Sequence, residues 1–293
     1  MHIGFDVGGT KVQGALLRDG ELIRSRKVPT PRDYDGLVSV IGCLHDELAG
    51  GRTEVERVAV GLPGTVSARR VHWVPNLRYL DGSDLAADLA DRVGADVLLA
   101  NDAQLTLLGE AWRGAAARRD SAALVSVGTG IGGAIMFGGR IIRGANRSAG
   151  AFGWLNLDVN DARDPDHGNL ELRASGRALE GIGRACTPPM TTYQIIENAR
   201  AGLEPAVGIV GRLAHMLGAS AAMIASVLDP ETIVFAGGLS EAFELMAPDI
   251  RGAFAEFSSP SVRRTPLVPA ALGPAAPLYG ATRAASLGRA VFA

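Results

Sequence analysis

Three glycine-rich turns and one pair of polar residues carry most of the chemistry legible in this chain. Asp6-Val7-Gly8-Gly9-Thr10-Lys11 sets a carboxylate at the end of an apolar run, followed by a tight turn with backbone N–H groups, a hydroxyl and a cation. Such a turn cradles phosphate oxygens. A tight hairpin with a surface lysine would account for the same residues. Gly128-Thr129-Gly130-Ile131-Gly132-Gly133 offers a second anion-binding concavity, and Ala236-Gly237-Gly238-Leu239-Ser240 a third, leading into a helical stretch. Three such turns argue for a nucleotide, and none has the GxxxxGK[ST] spacing of a P-loop. Asn101-Asp102 is the pair best suited to proton transfer: a carboxylate can accept a hydroxyl proton while the neighbouring amide orients the acceptor. An aspartate at a helix start is equally the residue type of an N-cap, and that reading competes.

These residues need elements to hold them. Apolar runs at 3–7, 12–17 and 21–28, separated by the first glycine turn and by Asp19-Gly20, predict three antiparallel strands. Periodicity predicts helices at 36–48, 83–93 and 103–112 and strands at 57–61 and 96–100, so that Asn101-Asp102 falls at a strand's carboxyl end, where ligands favour α/β sheets. The second half predicts strands at 122–127 and 132–137, helices at 174–184, 192–199 and 205–228, a strand at 232–236, a helix capped by Ser240, and a final helix from about 279 that folds back across the domain junction. FDVGGTKVQGALL and VSVGTGIGGAIMF are alike, each a strand, a glycine-threonine turn and a second strand, which suggests a duplication at the scale of a domain.

Composition narrows the class. A chain of 293 residues suits two domains or one large one. Its 29 basic and 31 acidic residues leave a charge of −2 and give no basic surface for a nucleic-acid backbone. Hydrophobic residues at 47% and charged ones at 20% exclude a disordered chain. The 38 glycines, about 13% of the chain against a usual share of about 7%, follow no collagen period and must serve specific turns. Two distant cysteines, Cys43 and Cys186, fit a reducing compartment, and the first ten residues lack a secretory signal, so a cytoplasmic protein is expected. The stretch 121–139 is long and uncharged enough for a membrane span, but six glycines, two serines and a threonine favour buried strands and turns.

Taken together the motifs resemble the ROK sugar kinases and repressors, members of the actin-like ATPase superfamily. DVGGTK at 6–11 is similar to that family's first phosphate loop, GLPGTV at 61–66 to its GxPG segment, and VPNLRYLDG at 74–82 to its substrate-contacting segment. NDAQLTLLGE at 101–110 resembles the catalytic segment and GTGIGGAI at 128–135 the second phosphate loop. The resemblance implies an α/β fold of two actin-like, ribonuclease H-like domains around an ATP and sugar cleft, with residues 1–101 and 279–293 in a small domain and 102–278 in a larger one. It implies Asp102 as general base, with Gly64, Asn76, Asn101, Gly150 and Glu171 on the sugar side. Gly8, Gly9, Thr10, Lys11, Gly128, Thr129, Gly130, Gly132 and Gly133 would hold phosphates, Gly237 and Gly238 would line the adenosine side, and Asp6 would organise Mg²⁺ through water. A homodimer is implied as well.

The departures are informative. Many family members carry an AGEIGH-like segment followed by zinc-binding cysteines; here it reads Ala149-Gly150-Ala151-Phe152-Gly153-Trp154, and no cysteine follows in DARDPDHGNLELRASG. No structural zinc is therefore expected, and His167, alone in that stretch, reads as a surface residue. Trp154 either stacks on a pyranose face or packs into space vacated by the metal loop. Replacing a carboxylate and an imidazole near the sugar's C1 and C2 points away from plain glucose and towards an amino or otherwise modified hexose, or a hydroxymethyl cyclitol. The expected reaction is transfer of the ATP γ-phosphoryl group to a primary hydroxyl. The rivals are a non-catalytic sugar sensor, disfavoured by Asp102 and the phosphate loops, and a repressor, disfavoured because the first phosphate loop begins at residue 6.

Overall fold

The structure is a computed structural model that describes residues 1–51, 54–161 and 164–293. In chain order its elements are β1 (His2–Val7), β2 (Lys11–Arg18), β3 (Glu21–Arg24), β4 (Val28–Pro29), α1 (Tyr34–Ala49), β5 (Arg57–Leu62), β6 (Thr65–Val66), β7 (Val71–Trp73), α2 (Leu85–Val93), β8 (Asp96–Asn101) and α3 (Asp102–Arg113). There follow β9 (Ala122–Val127), β10 (Ile131–Phe137), β11 (Arg140–Ile141), α4 (Asn169–Ala174), α5 (Gly176–Ala185), α6 (Thr192–Arg200), α7 (Ala206–Leu228), β12 (Ile233–Ala236), α8 (Phe243–Phe257), β13 (Leu267–Pro269) and α9 (Ala276–Leu287).

Two strand orders repeat one plan. The first sheet runs β3-β2-β1-β5-β8 and the second β11-β10-β9-β12-β13. In the first, an antiparallel meander is extended by two parallel strands, β5 on β1 and β8 on β5. In the second, β12 joins β9 in parallel and β13 joins β12. The likeness of the two glycine turns in sequence is thus a likeness of whole sheets. The stretch 121–139 forms β9 and β10.

The chain divides into two compact units. Unit 1 comprises Met1–Arg118, Ile135–Ala149 and Ala271–Ala293. The pleat of β1 explains its layers: Ile3, Phe5 and Val7 are buried in one cluster with Leu37, Ile41 and Leu44 of α1, while Gly4 faces the opposite side, where a side chain would stand 2.5 Å from the Thr282 nitrogen of α9. Helix α1 starts two residues before the predicted position because Asp33 caps it, accepting a hydrogen bond from Gly36 N at 2.8 Å. The run predicted as one strand over 21–28 breaks at Ser25. There Ser25 N donates to Gly14 O at 2.9 Å and Ser25 Oγ accepts from Gly14 N at 3.0 Å, and the chain rejoins β2 only as β4, at Val12↔Val28 and Lys11↔Pro29.

The unit boundaries differ from those read in the sequence. Division was expected at 101/102 and 278/279, whereas α3, residues 135–149 and the whole of 271–293 lie in unit 1. The cause is close packing: side chains at Gly109 and Gly280 would overlap the carbonyls of Ala276 and Leu105, so these glycines let α3 and α9 lie against each other. Arg143 ties the 135–149 segment down by donating from Nη2 to Leu99 O at 3.0 Å. The final helix begins at Ala276 rather than at 279 and packs on β1, β5 and α3.

Unit 2 comprises Arg119–Ala134 and Gly150–Ala270. Helix α7 is apolar and long enough to cross a membrane by length and composition, but Ile209, Leu213, Leu217 and Ile224 are buried and it packs on α6 and α8 as a core helix. Ser240 does not cap the next helix: its Oγ donates to Gly237 O at 2.6 Å within a short 3-10 turn, and α8 begins at Phe243 without a side-chain cap. Where one helix was expected over 174–184, Ser175 interrupts. It ends α4, which the sequence reading missed, and caps α5 by accepting from Ala178 N at 3.2 Å.

Candidate active site

In unit 1 the register of the sheet aligns one row of residues. Asp6 pairs with Gln13 on one side and Gly61 on the other, and Gly61 pairs with Ala100. Gly61 leaves room here: a Cβ there would lie 2.8 Å from Leu105 Cδ1, forcing that side chain to shift, and 3.9 Å from the Asp102 Cα. That gap seats the first turn of α3 beside Asp6. The two carboxylates feel each other. Burial, then the Asp102 charge, pushes the Asp6 carboxyl up to about 7, with Lys27 pulling the other way. Burial pushes Asp102 up to about 6, a rise limited by the backbone hydrogen bond that its Oδ1 accepts from Ala103 N at 2.8 Å. A carboxylate whose pKa sits just below neutrality is suited to accept a proton and return it.

The N-cap of α3 is Asn101, not Asp102. Its Oδ1 accepts from Ala103 N at 2.9 Å and Gln104 N at 3.2 Å, and its Nδ2 donates to Gly64 O at 2.9 Å. Asp102 is thereby released from the cap role that the sequence left open for it, while the Asn101 side chain is engaged with the protein at both its oxygen and its nitrogen. Gly64 sits at φ +135°, with Trp73 O where a side chain would go, so only glycine fits this loop. Asn76 is exposed and its Cβ approaches within 3.2 Å of the Cβ position of Gly9, which brings the substrate-type segment against the first glycine turn.

That turn is closed by Gly8 N donating to Lys11 O at 2.9 Å. Thr30 holds it from outside, with Oγ1 donating to Gly8 O at 2.7 Å and N donating to Thr10 O at 3.1 Å, leaving Gly9, Thr10 and Lys11 exposed. Neither Thr30 nor Lys27 was identified from the sequence. Their relevance follows from β4 returning to β2, and a two-residue strand after a bulge leaves no periodic signal.

In unit 2 the turn 128–130 is folded onto the start of α5. Gly176 N donates to Gly128 O at 2.8 Å and Arg177 N to Thr129 O at 3.1 Å. Glu171, expected near the sugar, accepts at Oε2 from Ile131 N at 2.8 Å and so braces the loop. Gly132 and Gly133 lie within β10, and Gly133 is buried under Phe152 and Gly150 O, a close packing contact. Gly150, at φ +87°, rests on Ala134. Gly237, at φ +85°, crosses the end of β9 with its Cβ position 2.5 Å from Val127 O, which places Gly237 and exposed Gly238 beside the turn 128–130. Trp154 does not fill vacated space: it ends the short 3-10 turn Phe152–Trp154 with 52% of its surface exposed, while Phe152 beside it is buried. His167 pairs with Asp164, Nδ1 to Oδ1 3.1 Å. Among the described residues no group of three or more His, Cys, Asp or Glu side chains could hold a metal ion.

The ROK family profile matches residues 2–286. The chain is 33% identical over 268 residues to an N-acetyl-D-glucosamine kinase of Pectobacterium atrosepticum, covering 84% of this chain and 86% of that protein. It is 26% identical to a glucokinase of Halalkalibacterium halodurans, covering 89% and 87%. Its fold matches the crystal structure of a ROK family glucokinase from Streptomyces griseus in complex with glucose and AMPPNP, with a TM-score of 0.82 and 31% identity over 98% of this chain and 99% of that one. The α/β architecture of two repeated sheets is the actin-like fold of those kinases. A profile match over nearly the whole chain, added to the shared fold, makes this protein a member of the ROK family.

Proposed function

We propose that this ROK-family sugar kinase transfers the γ-phosphoryl group of ATP to a primary hydroxyl of a hexose, the 6-OH or its equivalent. The observation that carries the reading is the Asp6–Asp102 pair beside Gly61, next to the exposed turn 8–11. Asp102 accepts the hydroxyl proton as the in-line transfer proceeds. Asn101 fixes Asp102 at the first helical position and holds the 61–66 loop through Gly64 O. Positioning supplies much of the rate in such a reaction, so a rigid cap matters as much as the base.

Two neighbouring carboxylates that burial makes reluctant to ionise suit a divalent cation, and Mg²⁺ held through water by Asp6 would neutralise the donor's phosphates. Within unit 1, Gly8, Gly9, Thr10 and Lys11 serve as a phosphate loop. Within unit 2, Gly128, Thr129 and Gly130 serve as a second one, with Gly237 and Gly238 on the nucleoside side and Glu171 as a brace. Ala151 and exposed Trp154 stand where the AGEIGH-like segment of the family resemblance has a carboxylate and an imidazole, which supports a modified hexose carrying an apolar substituent, an N-acetylated hexosamine above all. The relative from Pectobacterium atrosepticum acts on N-acetyl-D-glucosamine. The two free cysteines, Cys43 and Cys186, fit a reducing, cytoplasmic setting, and we take the enzyme to be a homodimer.

The test is ADP release with a panel of glucose, mannose, N-acetylglucosamine, N-acetylmannosamine, glucosamine and hydroxymethyl cyclitols. One N-acetylated hexosamine preferred over glucose supports the reading. Comparable turnover of glucose and its analogues would refute the specificity argument, and folded protein that binds ATP but turns over none of them would leave a sugar sensor.

A further inference from the structure

We propose that Lys27 is a second cationic contact for the phosphates of the donor, working beside Lys11 at the turn 8–11. The inference rests on the kinase reading above and extends it to a residue outside the family-like motifs.

The chain holds 29 Lys and Arg residues, and only Lys11 and Lys27 are lysine. Lys11 ends the turn, and Lys27 lies on the neighbouring segment, opposite Gln13, two residues along β2. Lys11 opens β2, and Lys27 immediately precedes β4, the short strand that rejoins β2 at Val12↔Val28. The bulge at Ser25 brings Lys27 there. Ser25 N is held by Gly14 O, and Ser25 O accepts from Gln13 Nε2 at 2.9 Å, so residues 26 and 27 share the space opposite Gln13. Gln13 is the register partner of Asp6. The lysine therefore stands two strands from Asp6 in the same row, with Gln13 of β2 between them. Three residues further on, Thr30 ties the segment to Gly8 O and Thr10 O, so the strand that carries Lys27 also braces the phosphate turn.

The two basic neighbours in the bulge are used differently. Arg26 is paired, its Nε 3.2 Å from Glu47 Oε2. Lys27 is exposed and, among the described residues, has no carboxylate within 4.0 Å, and the same holds for Lys11. Fold stability makes no use of either ammonium. A site that already holds two half-buried carboxylates and must admit a polyphosphate needs added positive charge, and a flexible ammonium is suited to follow phosphate oxygens as they move.

The experiment uses the full chain with Lys27→Met, Lys27→Arg and Lys11→Met. Binding of Mg²⁺ with a non-hydrolysable ATP analogue is measured by calorimetry at low and high salt, and KM for ATP and for the acceptor where turnover is seen. Lys27→Met should weaken analogue binding and raise the KM for ATP about tenfold, the effect of one lost charge-assisted contact. The acceptor KM should stay unchanged, Lys27→Arg should restore binding to within about threefold, and the variant's loss should shrink at high salt. Analogue binding within about twofold of the parent in Lys27→Met would overturn the proposal, as would an effect confined to the acceptor KM. Because binding is read directly, a parent that binds the analogue but phosphorylates no acceptor refutes the kinase reading and still decides the role of Lys27.

Discussion

Replacing Asp102 by asparagine should make the protein more stable and nearly inactive. Burial raises the Asp102 carboxyl from 3.8 to about 6, and about 2 pKa units at about 1.4 kcal/mol each correspond to about 3 kcal/mol. The sign follows from proton linkage. A native pKa above the unfolded one means that the native state binds the proton more tightly, so the fold loses stability as pH rises from about 4 to about 6 and carries the full deficit above that. Asparagine is of similar size, is neutral at every pH, and retains an oxygen to accept from Ala103 N. It also removes the charge that helps to push Asp6 upwards. The expected gain is about 2 to 3 kcal/mol at pH 8, a rise of roughly 5 to 10 °C in Tm for a chain of this size, shrinking towards zero at pH 4. Turnover should fall by about 100- to 10,000-fold with the loss of the base. Urea unfolding at pH 8 and pH 4, together with ADP release, measures both. A variant that is destabilised at pH 8, or changed equally at the two pH values, would refute the burial argument; one that keeps a tenth of the parent's turnover would refute the catalytic role.

If Asp102 acts as base, kcat/KM for the acceptor should rise about tenfold per pH unit up to about 6 and then level, and a profile flat from pH 5 to 8 would remove Asp102 from that role. Asn101→Ala removes the cap of α3 and should cost about 1 to 2 kcal/mol in denaturant unfolding. Asn101→Asp keeps the cap but not the bond to Gly64 O, so it should recover stability without recovering the acceptor KM. Gly280→Ala drives a methyl group into Leu105 O and should destabilise by about 3 kcal/mol, measured by thermal unfolding. Thr30→Val deletes the hydroxyl that holds Gly8 O and should raise the KM for ATP several-fold with little effect on the acceptor KM.

Most strands and the helices beside the candidate base were legible because their patterns are local: an apolar run closed by Gly8-Gly9 or Gly128, or a 3.6-residue stripe beginning after Asn101. What escaped notice depends on residues far apart in sequence. Asn101 rather than Asp102 caps α3 because the Asn101 amide also finds Gly64 O, 37 residues away. Glu171 braces the turn at Ile131 from a short helix that Ser175 cuts off from the helix predicted there, and no periodicity marks six residues. The unit boundaries were misplaced because α3 follows a ligand-bearing strand end, and nothing local reveals that Gly109 and Gly280 let α9 lie against it. Lys27 stands outside every motif of the sequence. Its significance comes from a bulge, and a bulge is a property of two strands and not of one.

The duplicated sheet plan has a consequence for the order in which the protein is made. Unit 1 takes in the first 118 residues and the last 23, and α9 from the last stretch packs directly on β1 from the first. As the chain leaves the ribosome, β1, β2 and β5 emerge early with one face of their sheet waiting for α9, which is translated after the whole of unit 2. Unit 2, drawn from Arg119–Ala134 and Gly150–Ala270, has all its segments out before α9 appears. The half that carries Asp6 and Asp102 is thus completed after unit 2, and a chain interrupted before α9 would already contain both carboxylates on a sheet with one face uncovered, open to chaperones and proteases.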